Sequence, residues 1–317
     1  MTPASVRRPK VVSMGGGHGL AASLSALRLL TDQVTAVVTV ADDGGSSGRL
    51  RDELGVLPPG DLRMALSAQC DDTEWGHTWR DVLQHRFESS GELHNHAVGN
   101  LLIVALWELL GDTVTGLDWV ARLLGARGRV LPMSAVPLDI EATVAGLDPA
   151  DPSAAVTVHG QVAVATTRGR VMGIRLTPDQ PPACPEAVAA IETADWVVLG
   201  PGSWFTSVLP HLMVHDLAEA LRTTTAKRIV ALNLSAQTGE TEGFSAENHL
   251  EVLAMHAPFL TVDVVLADRQ AVDRPESLAE VADSLGATLV LANLADADDP
   301  ARHDPLRLAA AYRDVME

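Results

Sequence analysis

Short runs of aliphatic and β-branched residues alternate along this chain with stretches in which apolar positions recur every three to four residues. That is the pattern of β–α units wound around a parallel sheet. Val11–Met14 predicts a first strand and Leu20–Leu30 the helix that follows it. Val34–Val40 predicts a second strand, almost continuously apolar, as expected where helices cover both faces of a sheet. Further strands are predicted at Trp196–Leu199, Ile229–Leu232, Val262–Leu266 and Leu289–Leu291, with helices at Glu186–Thr193, Leu212–Arg222, Ala246–His256 and Pro275–Leu285. Two stretches interrupt the rhythm. Residues 61–126 read as a helical insertion carrying Trp75, Trp79, Trp107 and Trp119. Residues 129–176 read as strand-rich, with strands at Leu138–Val144, Ala155–Val158, Gln161–Thr166 and Val171–Leu176 and a turn at Gly160. Asp148–Ser153 and Thr177–Pro185 read as loops, and no repeat or long linker divides the chain. One α/β unit spanning 1–317 is the expected organisation.

Composition narrows the possibilities. The 317 residues are 47% hydrophobic, which excludes an intrinsically disordered chain. A net charge of −18 disfavours a broad nucleic-acid surface, because such a surface would repel phosphate backbones. The excess is uneven: residues 1–63 hold seven basic and six acidic side chains. Only Cys70 and Cys184 occur, far apart, so neither a disulfide scaffold nor a cysteine-rich zinc site is expected. No targeting segment or membrane span is visible, and a cytoplasmic protein is expected.

The chemistry concentrates after the strands. Gly15-Gly16-Gly17-His18-Gly19 joins the first strand to a helix, where glycines admit close backbone approach and helix N–H groups face an anion. A tight turn without ligand is the plain alternative. The dinucleotide spacing G-x-G-x-x-G would need glycine at 20, where Leu20 stands. After the second strand comes Ala41-Asp42-Asp43-Gly44-Gly45-Ser46-Ser47-Gly48-Arg49. Here Asp42 or Asp43 can meet a ribose hydroxyl or hold Mg²⁺ on a phosphate, and Ser46, Ser47 and Arg49 supply donors.

Asp61 in Pro59-Gly60-Asp61-Leu62-Arg63 is explained by helix capping alone. His94 and His96 are too few for a metal site, and Asn100 or His96 reads better as a hydrogen-bonding group near a ligand. Gly200-Pro201-Gly202-Ser203-Trp204-Phe205-Thr206-Ser207 is a second anion-binding helix start, with Ser203, Thr206 and Ser207 also able to cap locally. In the segment 233–241, Asn233, Gln237, Thr238 and Glu240 suit a sugar or base. Neither a nucleophile elbow nor a lysine-bearing phosphate loop is present, since Lys10 and Lys227 are the only lysines.

Taken in order, GGGHGL, VTVADDGGSSGRLR, LPPGDLR, HAVGNLL, GPGSWFTSVLP and NLSAQTGETEGF resemble the bacterial YvcK family, the gluconeogenesis factors, within the wider CofD-like superfamily. His18 departs from the pattern, standing where many relatives have threonine, as does Trp204-Phe205 in place of leucine–tyrosine. The resemblance implies a Rossmann-like fold, a doubly wound, mostly parallel sheet in three α/β/α layers. It implies a cytoplasmic regulator that binds UDP-N-acetylglucosamine or UDP-glucose and is needed for cell shape and cell-wall synthesis during gluconeogenic growth. It also implies a regulated protein partner and, in some members, a Ser/Thr kinase, for which Thr223–Thr225 offer candidates. With the apolar fraction, it makes a homodimer the expected state.

In this reading the first and third loops hold the diphosphate, Asp42 or Asp43 meets ribose or metal, and Asn233–Thr241 reads the sugar or uracil. No catalytic residue is required. The alternative is a Mg²⁺-dependent phospholactyl transferase of the CofD kind acting on a deazaflavin, with Asp43 and Asp61 as its catalytic carboxylates. A nicotinamide-dependent oxidoreductase is disfavoured by Leu20.

Overall fold

The computed structural model describes residues 7–148, 150–151, 153–237 and 239–317. The chain begins with β1 (Val11–Gly15), α1 (Gly17–Leu27) and β2 (Val34–Val38). Five helices follow: α2 (Gly45–Leu54), α3 (Gly60–Ala68), α4 (Glu74–Gln84), α5 (Val98–Leu110) and α6 (Thr113–Leu124). Next come β3 (Gly128–Pro132), β4 (Asp139–Ala145), β5 (Ala155–His159), α7 (Gln161–Ala165) and β6 (Arg170–Thr177). The second half runs α8 (Pro185–Glu192), β7 (Trp196–Leu199), a π-helical turn (Trp204–Val208), α9 (Leu209–Met213), α10 (His215–Thr223) and β8 (Lys227–Ala231). It closes with α11 (Ala246–His256), β9 (Val264–Asp268), α12 (Pro275–Ser284), β10 (Thr288–Ala292) and α13 (Pro305–Met316).

Seven strands form one parallel sheet in the order β10-β9-β8-β7-β1-β2-β3. Because β1 lies inside the sheet, the chain first builds outward through β2 and β3, then restarts at β7 and builds the other way. The two loops at that reversal therefore open side by side at the carboxyl ends of β1 and β7, where doubly wound sheets leave a crevice. Helices flank the sheet, so β1 and β7 are buried along their whole length. No helix among the described residues is long and apolar enough to cross a membrane.

The helical stretch is the crossover between β2 and β3, and its α3 packs on α1. The strand-rich stretch divides: β3 joins the main sheet, and β5-β4-β6 form a separate antiparallel sheet. Gln161–Thr166, expected as a strand, is instead the short helix α7. Gly160, at φ +94°, turns the chain after β5, and the Asp43 carboxylate accepts from the Val162 N–H at 2.9 Å. A period-two pattern in six residues did not reveal that remote cap. The helix expected over Leu212–Arg222 breaks at Val214, whose extended backbone ends α9 and starts α10.

α13, which the sequence reading did not single out, closes over α1. Tyr312 is fully buried and lies 2.9 Å from the Ser23 hydroxyl, which accepts from Ser13 on β1. On the opposite side His211 in α9 is fully buried, its Nε2 donating to the Val37 carbonyl at 3.0 Å. Burial pulls its pKa down to about 4.

The unfolded chain therefore takes up a proton on His211 first, near the ordinary histidine pKa of about 6.5. Stability from this group is fully present above that pH and is lost as pH falls toward 4, by about 3 kcal/mol. Urea midpoints of wild type and His211→Gln, compared from pH 7 to 4, should converge in acid by that amount. Parallel curves would contradict the assignment.

Candidate functional site

The first turn of α1 presses directly on the second glycine loop. A Cβ at Gly19 would collide with the Pro201 carbonyl oxygen and stand 2.6 Å from the Gly202 Cα. Gly16 is closed off in the same way: a Cβ there would meet Thr39 and lie 2.6 Å from an Asp61 carboxylate oxygen. Gly15 ends β1 and Gly17 opens α1, while Gly200 follows β7. Asn233, after β8, fixes Gly202 from below. Its Oδ1 accepts from the Gly202 N–H and its Nδ2 donates to the Gly202 carbonyl, both at 2.8 Å.

Behind this seam lie two carboxylates with different environments. Asp42 accepts from the Gly44 N–H at 3.0 Å. Asp61, on the first turn of α3, is driven up to a pKa of about 7 by burial and by the nearby Asp42, against the pull of the Gly17 N–H and Arg63. Such a pair cannot readily hold two charges without a cation between. Asp43 does not share this site, because its carboxylate caps α7. Arg49 is likewise engaged elsewhere, donating to the carbonyls of Glu92 and His94 at 3.0 and 2.7 Å.

The second helix start satisfies itself. Glu240 Oε1 accepts from the Ser203 hydroxyl at 2.6 Å and the Trp204 N–H at 2.7 Å, and Ser203 also touches Thr206. Glu240 is buried and its pKa is raised, chiefly by that burial. The donors expected to meet a phosphate there are held by the chain's own carboxylate. Ser207 faces Gly16. Thr238 lies outside the described residues.

Between these loops and the helices α1, α3 and α4 opens a cavity of about 870 Å³. Of the residues expected at a site, His18, Gly19, Gly202, Asn233 and Gln237 line it. Ser46, Ser47, Asn100, Thr206, Ser207 and Glu240 are buried and do not line it. The lining that the sequence reading missed is cationic: Arg28, Arg63, Arg80, Arg86 and Arg302, against the single acid Asp296. Arg28 and Arg80 have carboxylate partners in Asp72 and Asp81. Arg63, Arg86 and Arg302 form no ion pair among the described residues. Arg63 is almost fully buried, and burial together with Arg86 lowers its pKa to about 10. The available signal was helical spacing: His18, Ala22 and Ser25 on α1 with Arg28 at its C-cap, like Arg63 and Ser67 on α3, fall on one face.

No cluster of three metal-ligating side chains occurs among the described residues. The carboxylates nearest that role are Asp42 and Asp61, since a Mg²⁺ brought in on phosphates takes only one or two from protein, but neither lines the cavity and Asp61 lies behind Gly16.

Fold and cavity together define an α/β protein of the Rossmann-like class with an arginine-lined crevice at its topological switch point. The family model for 2-phospho-L-lactate transferase CofD matches residues 11–304. A Mycobacterium tuberculosis protein carrying the provisional form of the name gluconeogenesis factor is 55% identical over 96% of this chain and 90% of its own length. The gluconeogenesis factor of Bacillus subtilis is 34% identical over 86% and 82%. A crystal structure of a UPF0052-family protein from Bacillus halodurans superposes with a TM-score of 0.85 at 31% identity, covering 97% of this chain and 99% of that one. The chain belongs to the gluconeogenesis-factor (YvcK) family, within the CofD family.

Two outcomes follow from the geometry. Gly19→Ala should lower unfolding stability by roughly 2–3 kcal/mol, since the added methyl meets backbone on both sides. A denaturant melt checks this. Asp61→Asn should stabilise the protein by a few kcal/mol at pH 8. A carboxyl raised to about 7 favours the fold below pH 3.8 and loses that contribution as pH rises through 7, so the variant's advantage should vanish in acid. An equal gain at every pH would sink the argument.

Proposed function

We propose that the cavity binds a UDP-sugar, UDP-N-acetylglucosamine or UDP-glucose, and that the protein is a cytoplasmic regulatory factor acting on cell shape and cell-wall synthesis during gluconeogenic growth. Family membership supports the gluconeogenic role. The observation that carries the ligand reading is the convergence of Arg63, Arg86 and Arg302, without ion pairs, on a crevice beside the seam of two glycine loops. In a chain of net charge −18, cations gathered without carboxylate partners among the described residues favour an anionic ligand.

In this reading the guanidinium groups meet the diphosphate, with His18 at the mouth of the first loop. Asn233 holds Gly202 in place, and Gln237 faces the sugar or the uracil. Mg²⁺, when bound, neutralises phosphate charge, and Asp42 and Asp61 are the residues that would hold it. Regulation then needs a partner protein that distinguishes the liganded from the free state, with a Ser/Thr kinase and a homodimer as further elements of the same proposal.

One feature favours the transferase reading: Asp61 is poised near neutral pH, as an acid or base in group transfer would be. Turnover of a deazaflavin acceptor with an activated phospholactate donor, lost in Asp61→Asn, would establish that activity.

Titration calorimetry with UDP-N-acetylglucosamine and UDP-glucose, with and without Mg²⁺, tests the leading reading. Saturable binding is expected, weakened about tenfold or more in Arg63→Ala (at least about 1.4 kcal/mol). Absence of heat at millimolar ligand would overturn it.

A further inference from the structure

Behind the arginine wall, four buried side chains form a line in which every proton has a determined place: Arg63, Asn100, Ser46 and His96. Arg63 Nε can only donate, and it lies 2.9 Å from Asn100 Oδ1. This fixes which end of the amide is oxygen, so Asn100 Nδ2 donates to the Ser46 hydroxyl oxygen at 3.0 Å. The Ala97 N–H also points at that oxygen, at 3.4 Å. With two donors directed at it, the Ser46 oxygen keeps one hydrogen to give, and His96 Nδ1 stands 2.9 Å away. Nδ1 must accept, so the imidazole is neutral and carries its proton on Nε2.

We infer that His96 is a positioning residue for the anion site: as a neutral Nδ1 acceptor it orients Ser46 and Asn100, and through them aims the Arg63 guanidinium into the cavity. The inference rests on the reading that this cavity takes an anion. The chemistry of the line favours it over mere packing. Arg63 is a nearly fully buried cation held by an amide and not by a carboxylate. A carboxylate would pin it more strongly but cancel the charge that an anionic ligand meets.

Protonation of His96 would break the line. An imidazolium donates from Nδ1, and the Ser46 oxygen cannot accept three N–H groups. Asn100 would have to turn or withdraw, and Arg63 would lose its acceptor. The surroundings oppose that protonation overall: burial and then Arg49 push the imidazole pKa down, with Arg86 in the same direction and Glu53 and Glu92 against it. Acid should therefore weaken anion binding through His96.

The test is calorimetric titration with UDP-N-acetylglucosamine, whose diphosphate diester does not change charge between pH 5.5 and 8. Wild type, His96→Leu and His96→Asn are compared. At pH 8, His96→Leu should bind about tenfold more weakly, having lost the acceptor. His96→Asn places an amide oxygen near the Nδ1 position and should stay within about twofold of wild type. Between pH 8 and 5.5, wild type should lose more affinity than His96→Asn, the comparison cancelling the titration of Asp61. Wild-type affinity in a folded His96→Leu, or equal weakness in both variants, overturns the inference. If His96→Leu does not fold, nitrogen NMR of wild-type imidazoles decides: a proton on Nε2 of His96 at pH 8 is expected, and one on Nδ1 overturns it. If wild type gives no heat, the reading of the cavity falls with the affinity role of His96, whereas the tautomer measurement judges the hydrogen-bonded line separately.

Discussion

The close approach of α1 to the loop after β7 is the contact on which the site depends. Pairing β1 with β7 inside a parallel sheet brings their ends together, but backbone separation decides whether they make a shared wall. At Gly19 the absence of a side chain lets the helix rest on the Pro201–Gly202 peptide. Asn233 then holds Gly202 through two hydrogen bonds from β8's end. Three strand ends are thereby tied into one edge, and the cavity is the space left between this edge, α1, the helices of the β2–β3 crossover and the segment before α13.

Charge is distributed about that edge by sign. Carboxylates lie inside: Asp61 behind the first loop, Glu240 against the start of the π-helical turn. Guanidinium groups lie on the open side. Burial makes each inner carboxylate reluctant to ionise, so the wall keeps a positive face toward the cavity. The helix starts, which glycine-rich loops usually offer to phosphates, are here partly satisfied from within, and the charge that faces the cavity is arginine's.

The central sheet and the glycine loops were legible because both are written in local patterns. Buried parallel strands need unbroken apolar runs, as in Val34–Val38, and a loop that must pass close to another backbone needs glycine. What escaped was the part assembled from distant segments. Gln161–Thr166 carries a strand-like alternation, yet a carboxylate 119 positions away caps it into a helix. Asp42 and Asp43 are adjacent in sequence, but one lies near Asp61 and the other caps α7. Nothing local marked Arg63, Arg80 and Arg86 as one group, and only the packing of α3 on α1 and of α4 on α3 brought them to one cavity.

The sequence by itself determined the order of β–α units, the two glycine loops at strand ends and the family, because these rest on hydrophobic periodicity and short contiguous motifs. Tertiary structure alone decided which charged groups share a space, which carboxylates resist ionisation and which donors are already taken. Those properties depend on distance and desolvation, and neither is a function of separation along the chain.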